Sequence, residues 1–273
     1  RLRKEFDVLP PGDILRAALA LSVYDYKILK TMFRGVRFSN TGKLDNHNLG
    51  NLFLVLAEKY GGSLLDSIRA LEQAVQATGH AYPVTLDTTD LMAELTNGDI
   101  IKTEGVIDRP EYDRSLRIKK VWLEPTGEVY KDAKQKIEEA DCILLGPGSL
   151  YCSVIASLLP NGVKEAIDKS KARLIYLAGN TYEEIGETGP TKLSEFVTEL
   201  ENYLPRKLDY ILYNQAELNQ EQTEKHKSRK WGLKELDLEN LEGREVLVKD
   251  YEKSYGGLDE VKLGKIIRDI MSK

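Results

Sequence analysis

Three groups of residues in this chain have the types and spacing that bind small polar molecules. The first is Gly146-Pro147-Gly148-Ser149, directly after the apolar run Ile143-Leu144-Leu145. Glycines there let backbone N–H groups approach an anion without interference from a Cβ, and a serine can bond a phosphate oxygen. The same four residues also fit a plain tight turn, with Ser149 only capping a following helix. The second group is Asn180 beside Gly179, then Gly186-Glu187-Thr188-Gly189-Pro190, with Asn214 behind Leu212-Tyr213. An asparagine offers donors and acceptors to a base or sugar edge, and Glu187 can hold a ribose hydroxyl, although a solvated turn-rich loop has the same composition. The third is Pro10-Pro11-Gly12-Asp13 together with Asn46-His47-Asn48-Leu49-Gly50-Asn51, both at helix starts. Asp13 is the one carboxylate here placed for catalysis, or it is only a cap; His47 lies among amides, facing a ligand or serving the fold. His80 and His226 stand apart and are expected at the surface or in packing. No set of ligands has zinc spacing, no metal site is assigned, and neither a Gly-x-Ser-x-Gly elbow nor a Gly-Lys-Ser phosphate loop occurs.

Elements must position these groups. Asp13 caps the apolar-periodic run Ile14 to Val23, a second helix follows Asn48 and stops at Gly61-Gly62, and a third spans Ser63 to Thr78 with Leu64, Ile68, Leu71 and Val75 on one face. The period then becomes that of strands, over Tyr82 to Leu86, Leu91 to Leu95, Ile100 to Glu104 and Ile118 to Leu123, with Asn97-Gly98 as a hairpin turn. After Pro125, strands at Asp141 to Leu145, Arg173 to Ala178, Leu208 to Tyr213 and Glu245 to Val248 alternate with helices. Those helices are Val129 to Ala140, Leu150 to Leu159, Val163 to Lys169, Thr191 to Tyr203 and Leu258 to Met271. This predicts an α/β fold: a Rossmann-like, mostly parallel sheet with helices on both faces, plus a small antiparallel β insertion. The polar, charged stretch Asn219 to Trp231 is expected to be an exposed loop, or a contact surface. We expect one domain over 1–273, with a helical part at 1–80, the insertion at 81–124 and the Rossmann-like half at 125–273. In such a sheet ligands bind beyond the carboxyl ends of the strands, where Gly146 to Ser149, Asn180 and Asn214 fall.

Composition narrows the class. The 273 residues are 41% apolar and 30% charged, with a net charge of −5, which suits a globular protein and argues against one that neutralises a nucleic-acid backbone. Neither cysteine, Cys142 nor Cys152, has a neighbour that suggests metal or redox work, so a reduced cytoplasmic location is expected. No run approaches the roughly 18 apolar residues of a bilayer span, so no membrane insertion is expected. The chain opens on Arg1 without an initiator Met, as if within a domain, and a leading segment is expected before it.

Leu9-Pro10-Pro11-Gly12-Asp13-Ile14, His47-Asn48-Leu49-Gly50-Asn51-Leu52 and Ala140 through Ile155, with Gly146-Pro147-Gly148-Ser149-Leu150-Tyr151 at its centre, resemble the CofD-like superfamily. Within it they are most similar to the YvcK-type group of gluconeogenesis factors. The resemblance runs in order along nearly the whole chain, including Tyr82-Pro83-Val84, the Asn180 to Thr188 loop and Asn214. It implies a first strand and a glycine loop ahead of Arg1-Leu2-Arg3, absent from this sequence. Two positions depart from the pattern: Cys152 stands where the group has Thr, and Ala178-Gly179 precede Asn180. For the YvcK-type branch the resemblance implies a cytoplasmic regulator that binds a nucleotide sugar of the UDP type, linked to cell shape and carbon metabolism. Its ligand would lie in a cleft touching Pro11, Gly12, Asp13, His47, Asn48, Asn51, Gly146, Pro147, Gly148, Ser149, Asn180, Glu187 and Asn214. For the CofD branch it implies transfer of a phospholactyl group from a nucleotide-activated donor to a deazaflavin, with Mg²⁺ as cofactor and Asp13 as the catalytic candidate. The visible loops and amides suffice for binding, whereas transfer needs more than one acid, so binding is the preferred function. The expected partners are therefore a nucleotide or nucleotide sugar and, for assembly, a second copy of the chain, with no nucleic acid.

Overall fold

The computed structural model describes residues 12–39, 41–45, 47–215 and 217–272, and divides into two compact units, Arg1–Leu86 and Asp87–Lys273. The expectations for Arg1, Arg3, Pro10, Pro11 and Asn46 lie outside the described residues.

The first unit is helical. Helix α1 (Gly12–Ala20) buries Leu15, Ala18 and Leu19, and carries Asp13 within its first turn rather than as a cap. Helix α2 (Tyr26–Lys30), capped by the Asp25 side chain, runs on into a π-helical turn at Thr31–Gly35. Helix α3 (Leu49–Gly61) starts at Asn48, and α4 (Leu64–Ala74) starts with a reciprocal box in which Ser63 and Asp66 each satisfy the other's backbone N–H. Leu15, Leu19, Leu54, Ile68, Leu71 and Val75 form its core. Gly50 packs at the start of α3 directly against the Leu15 side chain, which a Cβ there would have to displace. The strand expected at Tyr82 to Leu86 does not form. Pro83 has no N–H to give to a ladder, and the Ala81 N–H just before it donates to the Glu72 carboxylate at 2.6 Å.

The second unit is built on sheets. Strands β1 (Asp90–Leu95), β2 (Ile100–Lys102) and β3 (Ile118–Glu124) make an antiparallel sheet in the order β2-β1-β3, with Met92 opposite both Lys102 and Trp122. A short helix α5 (Glu104–Asp108) begins where the second strand was expected to continue. The main sheet is parallel and four-stranded: β4 (Cys142–Leu145), β5 (Arg173–Gly179), β7 (Tyr210–Asn214) and β9 (Val246–Lys249), in that spatial order. Helices α6 (Lys131–Glu138), α7 (Val163–Lys169), α8 (Leu193–Asn202) and α10 (Glu260–Met271) alternate with these strands. Ile175, Leu177, Leu212, Tyr251 and Ile270 form one core cluster, against which Leu263, Ile266 and Ile267 of α10 pack. The helix expected from Leu150 is π-helical over Leu150–Ile155 and then 3₁₀ over Ala156–Leu158.

Residues 219–231 are not the loop that their composition predicts. They form helix α9 (Gln220–Arg229), whose Asn219 and Gln222 make a reciprocal cap, followed by strand β8 (Trp231–Leu233). β8 pairs antiparallel with β6 (Thr181–Glu183) in a second small sheet. The helix has no apolar stripe; it is tied down by polar groups on its buried edge, where Gln222 donates to the Lys253 carbonyl at 2.8 Å and His226 bonds Glu252. Hydropathy periodicity cannot see such an edge. Among the described residues no helix is long and apolar enough to cross a membrane.

Candidate functional site

The glycine loop leaves the carboxyl end of β4. Gly146 has φ +89, which a side chain resists, and a Cβ there would lie 3.1 Å from the Leu177 carbonyl oxygen. The Gly146–Pro147 peptide is cis. Pro147 and Gly148 are exposed. Ser149 starts the following turn but its side chain caps nothing. Among the described residues none accepts a hydrogen bond from the Gly148 or Ser149 backbone N–H, and none pairs with the Ser149 hydroxyl.

The next donors along the turn are already taken. The Glu187 carboxylate accepts from the Tyr151 N–H at 3.1 Å and from the Cys152 N–H at 3.0 Å. Its loop is held from outside: the Arg114 guanidinium donates to the carbonyls of Glu184, Ile185 and Gly186, and Tyr112 and Thr188 share a hydroxyl hydrogen bond of 3.0 Å. Burial pushes the Glu187 carboxyl above its usual value, against the hydrogen bonds from Cys152 and Tyr151 that favour the anion. Burial also raises the Cys152 thiol, with the Glu187 charge adding to it, so this cysteine is a packed thiol and not a nucleophile.

Lys234, which sequence reasoning passed over, is also buried. It follows β8, its Nζ donates to the Ala178 carbonyl, and the ammonium sits 4.0 Å from the centre of the Phe196 ring. Burial pulls it down to about 7, with the Glu187 charge acting in the other direction. Nothing in Trp231-Gly232-Leu233-Lys234 announces this, since a lysine at a strand end is ordinarily solvated.

Asn180 and Asn214 lie at the ends of β5 and β7, as the topology predicts, and both are buried. Their amides donate to one carboxylate oxygen of Glu252, at 3.4 and 3.2 Å, while the other oxygen bonds His226 Nε2 at 2.8 Å. Asn214 Oδ1 accepts the Tyr251 N–H at 2.9 Å. Glu252 lies just beyond β9; a cue was available in the sheet order, because the end of that strand must come beside the end of β7.

In the helical unit Asn48 caps α3, its side chain accepting the Asn51 N–H at 2.8 Å. His47 is fixed by its backbone, donating to the Leu44 carbonyl and accepting from the Phe38 N–H, each at 3.0 Å. His47 Nε2 and Asn51 Oδ1 are both buried atoms with no described partner. Gly12 and Asp13 begin α1, and the Asp13 carboxylate is exposed and 3.6 Å from Arg16. Among the described residues no group of three His, Cys, Asp or Glu side chains could hold a metal ion.

A model of the family described as 2-phospho-L-lactate transferase CofD matches residues 1–252. The chain belongs to the CofD family. Its relatives in that family include the "Putative gluconeogenesis factor" of Thermotoga maritima, 35% identical over 99% of this chain and 86% of that protein. The "Gluconeogenesis factor" of Bacillus subtilis is 29% identical over 100% of this chain and 86% of its own length. The crystal structure of a Bacillus halodurans protein superposes with a TM-score of 0.87 at 27% identity, covering 98% of this chain and 86% of that one. The mixed α/β architecture of this CofD-family chain, with its parallel four-stranded sheet and small antiparallel sheet, is thus shared with a solved structure.

Proposed function

We propose that this CofD-family protein binds a nucleotide sugar of the UDP type as a regulatory ligand, with the Gly146–Ser149 loop taking its phosphates. The observation that carries this reading is the set of unused donors beyond β4: the N–H groups of Gly148 and Ser149 and the Ser149 hydroxyl. Donors with no protein partner, at the carboxyl end of a parallel strand, are what an anionic group needs. In the helical unit His47 and Asn51 carry buried polar atoms without described partners, which are rare in finished folds. Asn180, Glu187 and Asn214 enter as groups that set backbone positions around the strand ends. The regulatory role rests on the name its relatives carry, gluconeogenesis factor, and extends to carbon metabolism and cell shape in a cytoplasmic setting.

Thermal-shift titration with UDP-glucose, UDP-N-acetylglucosamine, UDP and GDP tests this. A ligand at 100 times its Kd should stabilise the protein by about 2.7 kcal/mol. Ser149→Asp places a negative charge in the loop and should abolish the shift at little cost to the free protein. Gly148→Val is a poor probe, because a Cβ there already comes within 2.9 Å of Ser153 Cβ. No shift with any of the four compounds overturns the reading.

A further inference from the structure

The helical unit buries one side of α2 and its π-helical extension and leaves the rest without a partner. Leu29 belongs to the core of that unit and Phe33 packs against it. Every other residue from Val23 to Ser39 is exposed, except the half-buried Arg34. Tyr24, Ile28, Met32 and Val36 recur at intervals of four, with 49, 59, 54 and 65% of their surface in water. Ile28 and Met32 share one shallow surface groove with Lys27 and Thr31. Single exposed apolar residues are ordinary, but a run this dense marks a contact surface. The same stretch is basic in a chain whose net charge is −5: between residues 24 and 38, Lys27, Lys30, Arg34 and Arg37 stand against Asp25 alone. The Asp25 carboxylate is occupied in capping α2, accepting the Lys27 and Ile28 N–H groups at 2.7 and 3.2 Å. Among the described residues no ion pair includes Lys27, Lys30 or Arg34.

We propose that this face of the helical unit docks on an anionic lipid bilayer, with α2 and its π-helical extension lying flat on the surface. Ile28, Met32 and Val36 enter the headgroup region while Lys27, Lys30 and Arg34 neutralise lipid phosphates. Apolar side chains interleaved with cations on one short helix are complementary to a surface whose charge is negative and whose interior is hydrocarbon. A second copy docking about a two-fold axis would instead set this cation-rich patch against itself. A protein groove grips the face of a helix, whereas here Tyr24 precedes the helix and the exposed Val36 and Phe38 follow it, so the apolar area is broader than a helix face. The helical stretch from Tyr26 to Gly35 is far too short to cross a bilayer, so the element rests on the membrane and does not span it. The glycine loop takes no part, and the surface is independent of the nucleotide reading.

Co-sedimentation of the whole chain, without nucleotide, tests this on two kinds of vesicle: phosphatidylglycerol and phosphatidylcholine in equal parts, and phosphatidylcholine alone. The protein should pellet with the first and stay in solution with the second, and the bound fraction should fall as salt is raised. Lys27→Gln should weaken binding to the anionic vesicles ~5-fold. Ile28→Ser combined with Met32→Ser should weaken it at least ~10-fold, since the cations alone remain. All three side chains are exposed, so the variants should melt with the wild type. If the double variant does not fold, the wild type's choice between the two vesicles decides. A wild type that ignores anionic vesicles overturns the proposal, and so does binding that the double variant retains in full. Light scattering runs in parallel: a wild-type dimer that the double variant converts to a monomer assigns the face to a second copy and overturns the lipid assignment.

Discussion

In the sheet unit the buried amides of Asn180 and Asn214 converge on Glu252, which also takes His226 Nε2, leaving only the Nδ1 of that ring without a partner. In the helical unit His47 Nε2 and Asn51 Oδ1 are likewise buried, and no described residue meets either atom. The motif residues are of the same chemical types in both places. Their accounting differs: the first set is spent on the fold, and the second is left open. A buried polar atom without a partner costs about 1–3 kcal/mol, so an open set is kept where something outside the fold repays it. Substitutions in the first set should therefore cost stability, and substitutions in the second should cost little of it.

The largest effect is expected at Glu252. Glu252→Ala strands two amides and an imidazole at once and should destabilise the protein by about 3–5 kcal/mol in urea unfolding, with Glu252→Gln losing less. A loss below about 1 kcal/mol would mean that these groups find water instead, and the contrast between the units would fall. The buried Lys234 should show as a pH slope. Lys234 holds its proton less tightly folded, at about 7, than unfolded, near ~10. Between those values the unfolded chain binds more protons, so through this residue stability rises with pH across that window. Glu187 has the opposite sense: its folded value is raised, so the folded chain binds more protons just above the ordinary carboxylate range and stability falls as pH rises through it. Urea melts of wild type and Lys234→Met from acid to alkaline pH should differ by loss of the alkaline rise. A smaller effect belongs to Asn219, whose cap starts α9; Asn219→Ala should cost about 1 kcal/mol, read as faster amide exchange confined to that helix.

These predictions also mark how far the sequence is legible. The parallel strands were, because Ile143 to Leu145, Leu174 to Leu177 and Ile211 to Tyr213 are continuous apolar runs closed by glycine or asparagine. The helical unit was, through its caps and the 3.6-residue period of Leu64, Ile68, Leu71 and Val75. Helix α9 was not, since hydrogen bonds from Gln222 and His226 hold it and carry no hydropathy signal. In the candidate site, strand ends placed Gly146, Asn180 and Asn214. What those residues touch depends on Glu252 and Lys234, distant in sequence and of types that are ordinarily solvated, so no local pattern could name them.

The smallest change in stability, at Asn51, separates the two units most sharply. Its N–H is satisfied by Asn48, and its Oδ1 is buried without a described partner. Asn51→Leu keeps the backbone bond and replaces the orphaned oxygen with apolar atoms of similar bulk, so unfolding free energy should stay within about 0.5 kcal/mol of wild type or rise slightly. A loss of about 2 kcal/mol or more without ligand would show that Asn51 Oδ1 does serve the fold, and would put the helical unit in the same class as the sheet unit.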